Sequence, residues 1–229
     1  MAVQYARRLA DIAGVLRSRY HDFDHYNLAD PLDELLFIIC STRTTERGYR
    51  NTFQALRARY RTNASLTRAS IDEVAAVLQP GGLSRKKATQ IHDSLRAICN
   101  QFGEPSLSRL RDWPDERCEQ FLLSLPGVGK KVARCVMLYA LGRAVFPVDE
   151  HCWRISRRLG WIRQTRRNRS GSPRDEDRLQ ARISPDYRYS LHVNMISLGR
   201  EFCTPLNPKC PTCPISVFCP RVGTRAAHK

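Results

Sequence analysis

The chain has 229 residues, with 38 Lys plus Arg against 22 Asp plus Glu and a formal net charge of +16. This length suits one or two domains whose apolar core needs no disulfides. The positive charge favours a polyanionic partner, with nucleic acid as the first candidate and an anionic membrane surface as the second. No apolar run approaches the roughly 20 residues that span a bilayer, and the N-terminal stretch lacks a signal-peptide apolar segment, so we expect a cytoplasmic protein without membrane spans.

Apolar residues recur at intervals of three and four along most of the chain, a pattern typical of amphipathic helices. In chain order these segments are LADIAGVL (9–16), LDELLFIIC (32–40), YRNTFQALRARY (49–60), IDEVAAVL (71–78) and FLLSL (121–125). No alternating strand pattern competes, so the sequence predicts an all-α fold. Loops between helices are predicted at QPGGLS (79–84), FGEPS (102–106), LPGVG (125–129) and LGRAVFPVDE (141–150).

The polar stretch RQTRRNRSGSPRDED (163–177) is the one low-complexity segment, with its arginines crowded into the first half. Its composition predicts a mobile surface loop. A solvated run of charge explains the segment, and a contact with a DNA backbone is the alternative.

Helical patterns on both sides of LPGVG, over DERCEQFLLSL (115–125) and KKVARCVMLYAL (130–141), predict a helix, a tight hairpin and a second helix. Gly127 and Gly129 allow a sharp turn and a close approach of the backbone to a ligand. Amides at the start of the second helix are well placed for a phosphate oxygen. An ordinary glycine turn between packed helices is an equally good interpretation of LPGVG alone.

Two kinds of chemical group surround this hairpin. Lys130 and Lys131 lie in the first turn of the second helix, where an amine could act as a nucleophile. Asp149 precedes another predicted helix, at the N-cap position that favours aspartate for structural reasons alone. A surface lysine and a capping aspartate therefore remain alternatives to a catalytic pair.

The C-terminal segment holds four cysteines with the spacing C-x6-C-x2-C-x5-C, namely Cys203, Cys210, Cys213 and Cys219. In a reducing compartment such an array indicates metal ligands rather than disulfides. A zinc site commonly has two C-x2-C pairs, whereas this array has one such pair with a lone cysteine on either side. The spacing therefore favours an iron-sulfur cluster, and a zinc site remains the alternative. The other five cysteines are predicted to be buried core residues or bystanders: Cys40, Cys99, Cys118, Cys135 and Cys152.

These segments resemble endonuclease III and its relatives in the helix-hairpin-helix DNA glycosylase superfamily. The resemblance rests on LPGVGKKVA (125–133), on VDEH (148–151) with its aspartate 18 residues after the second lysine, and on the cysteine array. It extends upstream to DPLDELLFIICSTRTTE (30–46), similar to the family's leucine-rich helix, and to GGLSRKKA (81–88), similar to its wedge loop before a lysine-bearing helix.

The resemblance implies two helical domains with the active site in the cleft between them. One domain would comprise residues 28–144, with the helix-hairpin-helix at about 115–141, and the other residues 1–27 with 145–229, ending in a [4Fe-4S] cluster loop. Lys131 is implied as the catalytic lysine, Asp149 as the catalytic aspartate and the four array cysteines as cluster ligands. DNA contacts are implied for the following residues: Gly127, Val128, Gly129, Lys130, Arg43, Leu83, His151 and Lys209. Packing at the start of a helix is an alternative for His151.

The implied function is that of a bifunctional DNA glycosylase and abasic-site lyase of base excision repair. Lys131 would attack C1′ of a flipped, oxidised pyrimidine, Asp149 would stabilise positive charge on the sugar, and β-elimination would nick the strand. Arg43 and Leu83 would fill the gap in the stack. The partner would be double-stranded DNA with a modified base or an abasic site, and the protein would act as a monomer.

One departure bears on the substrate. The family usually has glutamine where Arg43 stands, and three segments of this chain are similar to the catalytic core of the much larger plant 5-methylcytosine DNA glycosylases. Excision of 5-methylcytosine, another modified cytosine or a mismatched thymine is therefore an alternative.

A non-catalytic iron-sulfur DNA-binding protein is an alternative of another class. The aromatic residues Tyr49, Phe53, Trp153 and Trp161 are predicted to lie in the core or at a domain interface.

Overall fold

A computed structural model of the protein describes residues 2–162 and 173–224, with the backbone alone for residues 2–6. The described residues are helical or irregular, with no strand among them, which confirms the predicted all-α fold. The α-helices of these ranges are α1 (Ala2–Tyr20), α2 (Pro31–Ser41), α3 (Glu46–Arg59), α4 (Asn63–Arg68), α5 (Ile71–Leu78), α6 (Ser84–Phe102), α7 (Asp115–Ser124), α8 (Lys130–Tyr139), α9 (Glu150–Arg158), α10 (Pro173–Arg182) and α11 (Pro185–Glu201). Short 3₁₀ turns are formed by Gln79–Gly81, Ser108–Asp112, Cys210–Thr212 and Ser216–Phe218.

The chain forms two compact units. One comprises Met1–His25 with Ala144–Lys229, and the other comprises Tyr26–Arg143. No helix of the described ranges is both long enough and apolar enough to cross a membrane.

Helix α2 is the centre of the unit Tyr26–Arg143. Its first residue is Pro31, and its N-cap is Asp30. Asp30 Oδ1 accepts hydrogen bonds from the main-chain N–H groups of Leu32 and Asp33. Nearly all of its side chains are buried, because it packs against α3, α6 and α8. The predicted core aromatics Tyr49 and Phe53 of α3 are buried and both meet the Phe37 ring edge-on.

The unit of the two chain ends has its own apolar core. Helix α11 packs against α1 and α9, and Trp161 is buried with them, as predicted, while Trp153 is partly buried against the same core. The shared core side chains come from all parts of this unit, among them Leu9, Ile12, Leu16, Phe146, Ile155, Leu179, Leu191, Met195 and Leu198.

The prediction of a loop over 163–177 is wrong for its last five residues, which form the first half of α10. Pro173 occupies the first helical position, and Asp175 and Glu176 follow in the first turn, where the helix dipole favours acidic side chains. The buried Leu179 anchors the helix to the core. Residues 163–172, which carry the predicted arginine-rich part, lie outside the described residues.

Candidate active site

The hairpin between α7 and α8 adopts the tight turn that its glycines predict. Gly127 has a φ of +73°, a left-handed conformation that side chains with a Cβ rarely adopt. Gln90 Nε2 of α6 donates a hydrogen bond of 2.9 Å to the Gly127 carbonyl, which fixes the turn against a neighbouring helix. The Val128 side chain is buried, and its main-chain N–H donates a hydrogen bond of 3.1 Å to the Leu125 carbonyl within the turn.

Helix α8 begins at this hairpin with a terminus suited to an anion. Its N-cap is Gly129, which has no side chain to accept hydrogen bonds from the first-turn amides. Lys130 and Lys131 occupy the first two helical positions, and each side chain is half-buried. Main-chain N–H groups and two amines therefore lie within one helical turn, which is the arrangement that binds a phosphate.

A partly buried ion pair holds the two arms of the hairpin together. Arg134 of α8 is only 2% exposed, and its Nε donates a hydrogen bond of 2.7 Å to Glu119 Oε1 of α7. Because this contact joins the facing sides of α7 and α8, it restricts the angle at which the hairpin presents Lys131.

The left-handed turn allows a stability prediction. Gly127→Ala is expected to lower the free energy of unfolding by about 1–2 kcal/mol, because alanine is strained at positive φ. An added Cβ would also lie 3.0 Å from Gln90 Cδ. Gly129→Ala is the control, since its φ is −91° and no heavy atom lies within 4 Å of an added Cβ. Urea unfolding should show a loss below about 1 kcal/mol there; equal losses would contradict the turn's role.

Asp149 caps α9 in the other unit. Its Oδ1 accepts a hydrogen bond of 2.7 Å from the Cys152 main-chain N–H, and the side chain is partly exposed. The three residues before it, Phe146 to Val148, are buried, so the carboxylate is held at the end of a fixed segment. The structural role predicted for Asp149 is therefore confirmed, and its partial exposure is compatible with contact with a substrate.

His151 is the second residue of α9 and is packed within its own unit. Its Nδ1 accepts a hydrogen bond of 2.9 Å from Arg154 Nη2, and a Cβ added at Gly199 would lie 2.3 Å from the same atom, so the ring lies directly against that glycine. Burial lowers the pKa of His151, an effect that the charge of Asp149 opposes. These contacts support the packing interpretation, and the contact of His151 with DNA stays a prediction.

The four cysteines of the array line one cavity in the unit of the chain ends. The cavity encloses about 410 Å³, including the part open to solvent, and apolar side chains such as Leu159, Phe202 and Ile215 form its walls. The sulfurs do not form a single-ion site: the described ranges contain no group of three or more His, Cys, Asp or Glu placed to hold one metal ion. Burial raises the pKa of the Cys213 thiol to about 11, so metal binding would have to displace its proton.

Two buried arginines of α9 bind the cysteine loop. Arg158 Nη1 donates to Cys203 Sγ at 3.0 Å and to the Thr204 carbonyl at 2.8 Å, and Arg154 Nε donates to the Cys203 carbonyl at 2.7 Å. Lys209, in the same loop, is exposed. The contact of Arg158 with Cys203 Sγ favours a thiolate, which is the chemistry that an iron-sulfur cluster would need from its ligands.

Arg43 and Leu83 are the residues predicted to fill the gap in the base stack, and we call them the wedge residues. Both lie in the unit Tyr26–Arg143. Each has a φ of +50°, which is unusual for residues other than glycine. Both side chains are exposed, and Leu83 stands at the N-cap of α6. Exposed side chains on constrained loops are typical of binding positions.

Several residues that hold these loops were not predicted from the sequence, namely Lys87, Gln90, Arg154 and Arg158. One signal was available for Lys87: it lies on the apolar stripe of α6 with Ala88, Ile91 and Leu95, where a lysine is out of place. The four core cysteines Cys40, Cys118, Cys135 and Cys152 are buried as predicted, and Cys99 is partly buried.

Comparison with known proteins agrees with the resemblance. Residues 37–172 match the HhH-GPD superfamily of base excision DNA repair proteins. The chain is 29% identical to endonuclease III of Thermotoga maritima over 83% of both chains, and 32% identical to the DNA glycosylase/AP lyase ROS1 of Arabidopsis thaliana over 66% of this chain and 12% of that one. An endonuclease III in a non-covalent complex with DNA superposes with a TM-score of 0.79 at 26% identity, covering 100% of this chain and 99% of that one.

Proposed function

Because the chain belongs to the HhH-GPD superfamily of base excision DNA repair proteins, and within it is an endonuclease III-like DNA glycosylase, we propose that it is bifunctional: it removes a modified pyrimidine from duplex DNA and then nicks the strand at the abasic site. The observation that carries this proposal is the position of Lys131. Its amine stands in the first turn of α8, directly after the glycine hairpin. A nucleophile beside a phosphate-binding turn suits attack on a sugar of the same strand.

The hairpin provides the first step, which is binding. The main-chain amides at Gly127 and Gly129 would donate hydrogen bonds to a backbone phosphate, and the amines of Lys130 and Lys209 would neutralise phosphate charge. Val128, whose N–H binds the Leu125 carbonyl, would hold the turn in shape beside the phosphate. A base inside the stack is out of reach, so the nucleotide must be flipped out at a cost of a few kcal/mol. Arg43 and Leu83 would occupy the space it leaves.

The chemistry then proceeds through the lysine. The neutral Lys131 Nζ forms a bond with C1′ while the C1′–N bond to the base breaks, and the base leaves with that electron pair and takes up a proton. Nζ loses a proton, and the C1′–O4′ bond then breaks as O4′ takes up a proton, so the sugar ring opens and an iminium forms. Loss of the C2′ proton then moves electrons into a C2′=C3′ bond, and the 3′ phosphate leaves with the C3′–O pair. Water finally hydrolyses the imine and restores the lysine.

Asp149 is proposed to stabilise positive charge that develops on the sugar as the base departs. A carboxylate held by a helix cap needs little reorganisation during the reaction, which is the condition for effective electrostatic stabilisation. The same carboxylate can accept the proton that Nζ releases.

Asp149→Asn tests this role apart from capping. Asparagine is also a good N-cap, so α9 should keep the hydrogen bond to the Cys152 N–H and its stability. Single-turnover base excision is expected to fall by roughly 10²-fold, because the charge is lost. Cleavage of a preformed abasic site, which needs no base departure, should fall less. An unchanged excision rate would leave Asp149 as a cap alone.

The substrate is tested with labelled duplexes that carry thymine glycol, a T:G mismatch, 5-methylcytosine or an abasic site. We expect cleavage at thymine glycol without alkali treatment, as for a bifunctional repair enzyme acting on oxidised pyrimidines. Base loss that requires alkali for strand cleavage would contradict the lyase step. Activity at none of the four sites would overturn the proposal.

Modified cytosine is the second candidate, favoured by two observations. The chain shares 32% identity with ROS1 over 66% of its length, and the exposed loop residue at position 43 is an arginine, whose charge and donors differ from those of an amide side chain. Cleavage at 5-methylcytosine in place of thymine glycol would reverse the order of the two candidates.

A [4Fe-4S] cluster is the proposed cofactor of the cysteine cavity. Cys203, Cys210, Cys213 and Cys219 would be its ligands, since all four line one cavity. When bound, such a cluster would stabilise the loop that carries Lys209, without taking part in bond cleavage. Arg154 and Arg158 would hold that loop from α9.

A further inference from the structure

Lys87 is a buried charge that the proposed reaction does not use. The residue lies one turn into α6 and is only 2% exposed. Its Nζ donates hydrogen bonds of 2.9 Å to the Cys40 carbonyl and 2.9 Å to the Gly81 carbonyl. Both acceptors are main-chain groups, so this ammonium binds backbone rather than a carboxylate.

Each acceptor stands just before a wedge residue. Cys40 lies in the last turn of α2, three residues before Arg43, and Gly81 ends the 3₁₀ turn that precedes Leu83 by two residues. Carbonyls at the end of a helix have no partner within that helix and carry its negative pole. One ammonium therefore joins the backbones of the two loops that carry the exposed side chains.

The Gly81 loop is also fixed from its other side. A Cβ added at Gly81 would lie 2.6 Å from Thr52 Oγ1, so the loop backbone packs directly on α3. Thr52 Oγ1 in turn donates a hydrogen bond of 2.7 Å to the Gly48 carbonyl. Gly81 is thus held between α3 and Lys87, and this restraint opposes relaxation of Leu83 from its left-handed conformation.

A lysine at this position has an energetic cost that a core apolar residue would avoid. Burial lowers the pKa of Lys87, and burial also raises the pKa of the adjacent Cys40 thiol to about 12, so that thiol is neutral and supplies no counter-charge. A side chain that spans two loops with several N–H donors explains the presence of lysine where packing alone would favour methionine or leucine.

We infer that Lys87 is a positioning residue that holds the Arg43 and Leu83 loops at a fixed separation, so that both side chains enter the DNA stack together. This inference rests on the proposed function for the role of the wedge, whereas the restraint on the loops can be measured without DNA. Lys87 acts through the two loops and contacts neither the sugar nor the base.

The first experiment measures hydrogen-deuterium exchange in the protein without DNA. Lys87→Met keeps the length and volume of the side chain and removes its donors. Exchange at residues 40–44 and 79–83 is expected to rise at least tenfold, with exchange in α8 and α11 unchanged. The control is Lys86→Met, which removes the exposed charge of the preceding residue and should leave the exchange rates of both loops unchanged. A uniform rise across the unit, or no rise in the loops, would overturn the inference.

The second experiment compares two substrates in single turnovers. Base excision from a duplex requires the wedge, whereas cleavage at an abasic site in single-stranded DNA does not. Lys87→Met is expected to slow base excision from the duplex by 10- to 100-fold and cleavage of the single-stranded abasic site by less than twofold. Leu83→Ala should show the same pattern. Lys86→Met should change both by similar factors below threefold. Parallel losses on both substrates in Lys87→Met would show a merely structural role and overturn the inference.

Misfolding of the variant and failure of the proposed function can each be distinguished from failure of the inference. If Lys87→Met does not fold, Lys87→Arg replaces it: this variant keeps several N–H donors and is expected to retain slow loop exchange and at least half of the excision rate, and fast loop exchange in it would count against the inference. If the wild-type protein cleaves neither substrate, the proposed function has failed and the wedge role with it. Wild-type activity with unaltered loops in Lys87→Met means that the inference alone has failed.

Discussion

Replacing Lys131 with alanine is expected to lower strand cleavage at an abasic site by at least about 10³-fold, because no other group of the reaction can form the iminium that acidifies the C2′ proton. Borohydride reduction during the reaction should trap a protein–DNA adduct with the wild-type chain and none with the variant. Binding to abasic-site DNA should stay within a few-fold of the wild-type affinity, since the hairpin amides at the start of α8 remain in place.

Lys130→Ala is the matched control, because it removes the same group one residue earlier in the same helical turn. It should retain adduct formation while weakening DNA binding, with the slope of log affinity against log salt reduced by about one. Loss of the adduct in Lys130→Ala with its retention in Lys131→Ala would exchange the roles of the two lysines. Adduct formation by both variants would require a nucleophile elsewhere in the chain.

Several helices could be predicted from their apolar periodicity, whereas α4, α11 and the start of α10 were not predicted. Helix α5 covers the predicted segment 71–78, and α2 and α3 lie over their predicted segments. Helix α4 was not predicted because its six residues contain a single buried side chain, Leu66. The start of α10 was mistaken for loop because its first turn is charged, although Pro173 and the two acidic residues after it are typical of a helix N-terminus.

The reacting groups of the candidate site could be proposed from the sequence because they lie in local motifs. A glycine turn and an N-cap depend on neighbouring residues, so Gly127 and Asp149 have the local conformations that their motifs predict. The contacts of Lys87 with Cys40 and of Arg158 with Cys203 join residues 47 and 45 positions apart. Which carbonyl or thiol such a side chain meets is decided by helix packing, which periodicity does not specify.

Replacing Cys213 with serine is expected to remove the iron and sulfide, about four of each per chain in the wild type, and to destabilise the unit that contains α9 and α11. Because a structural metal centre binds the folded chain and not the unfolded one, its binding free energy adds to stability, on the order of 10 kcal/mol in small metal-dependent domains. This unit also has an apolar core of its own, so a loss of several kcal/mol, short of complete unfolding, is expected. Iron and sulfide assays with thermal unfolding measure both effects.

Cys99→Ser is the matched control, because Cys99 lies on α6 in the other unit, outside the array. It should keep the full iron content and lose less than about 1 kcal/mol. The Cys213 variant should also bind DNA more weakly, with a smaller salt slope, because the loop that holds Lys209 would lose the cluster, although it would keep its contacts to Arg154 and Arg158. Stoichiometric zinc without iron in the wild-type protein would contradict the cluster, and full iron content in the Cys213 variant would remove that cysteine from its ligands.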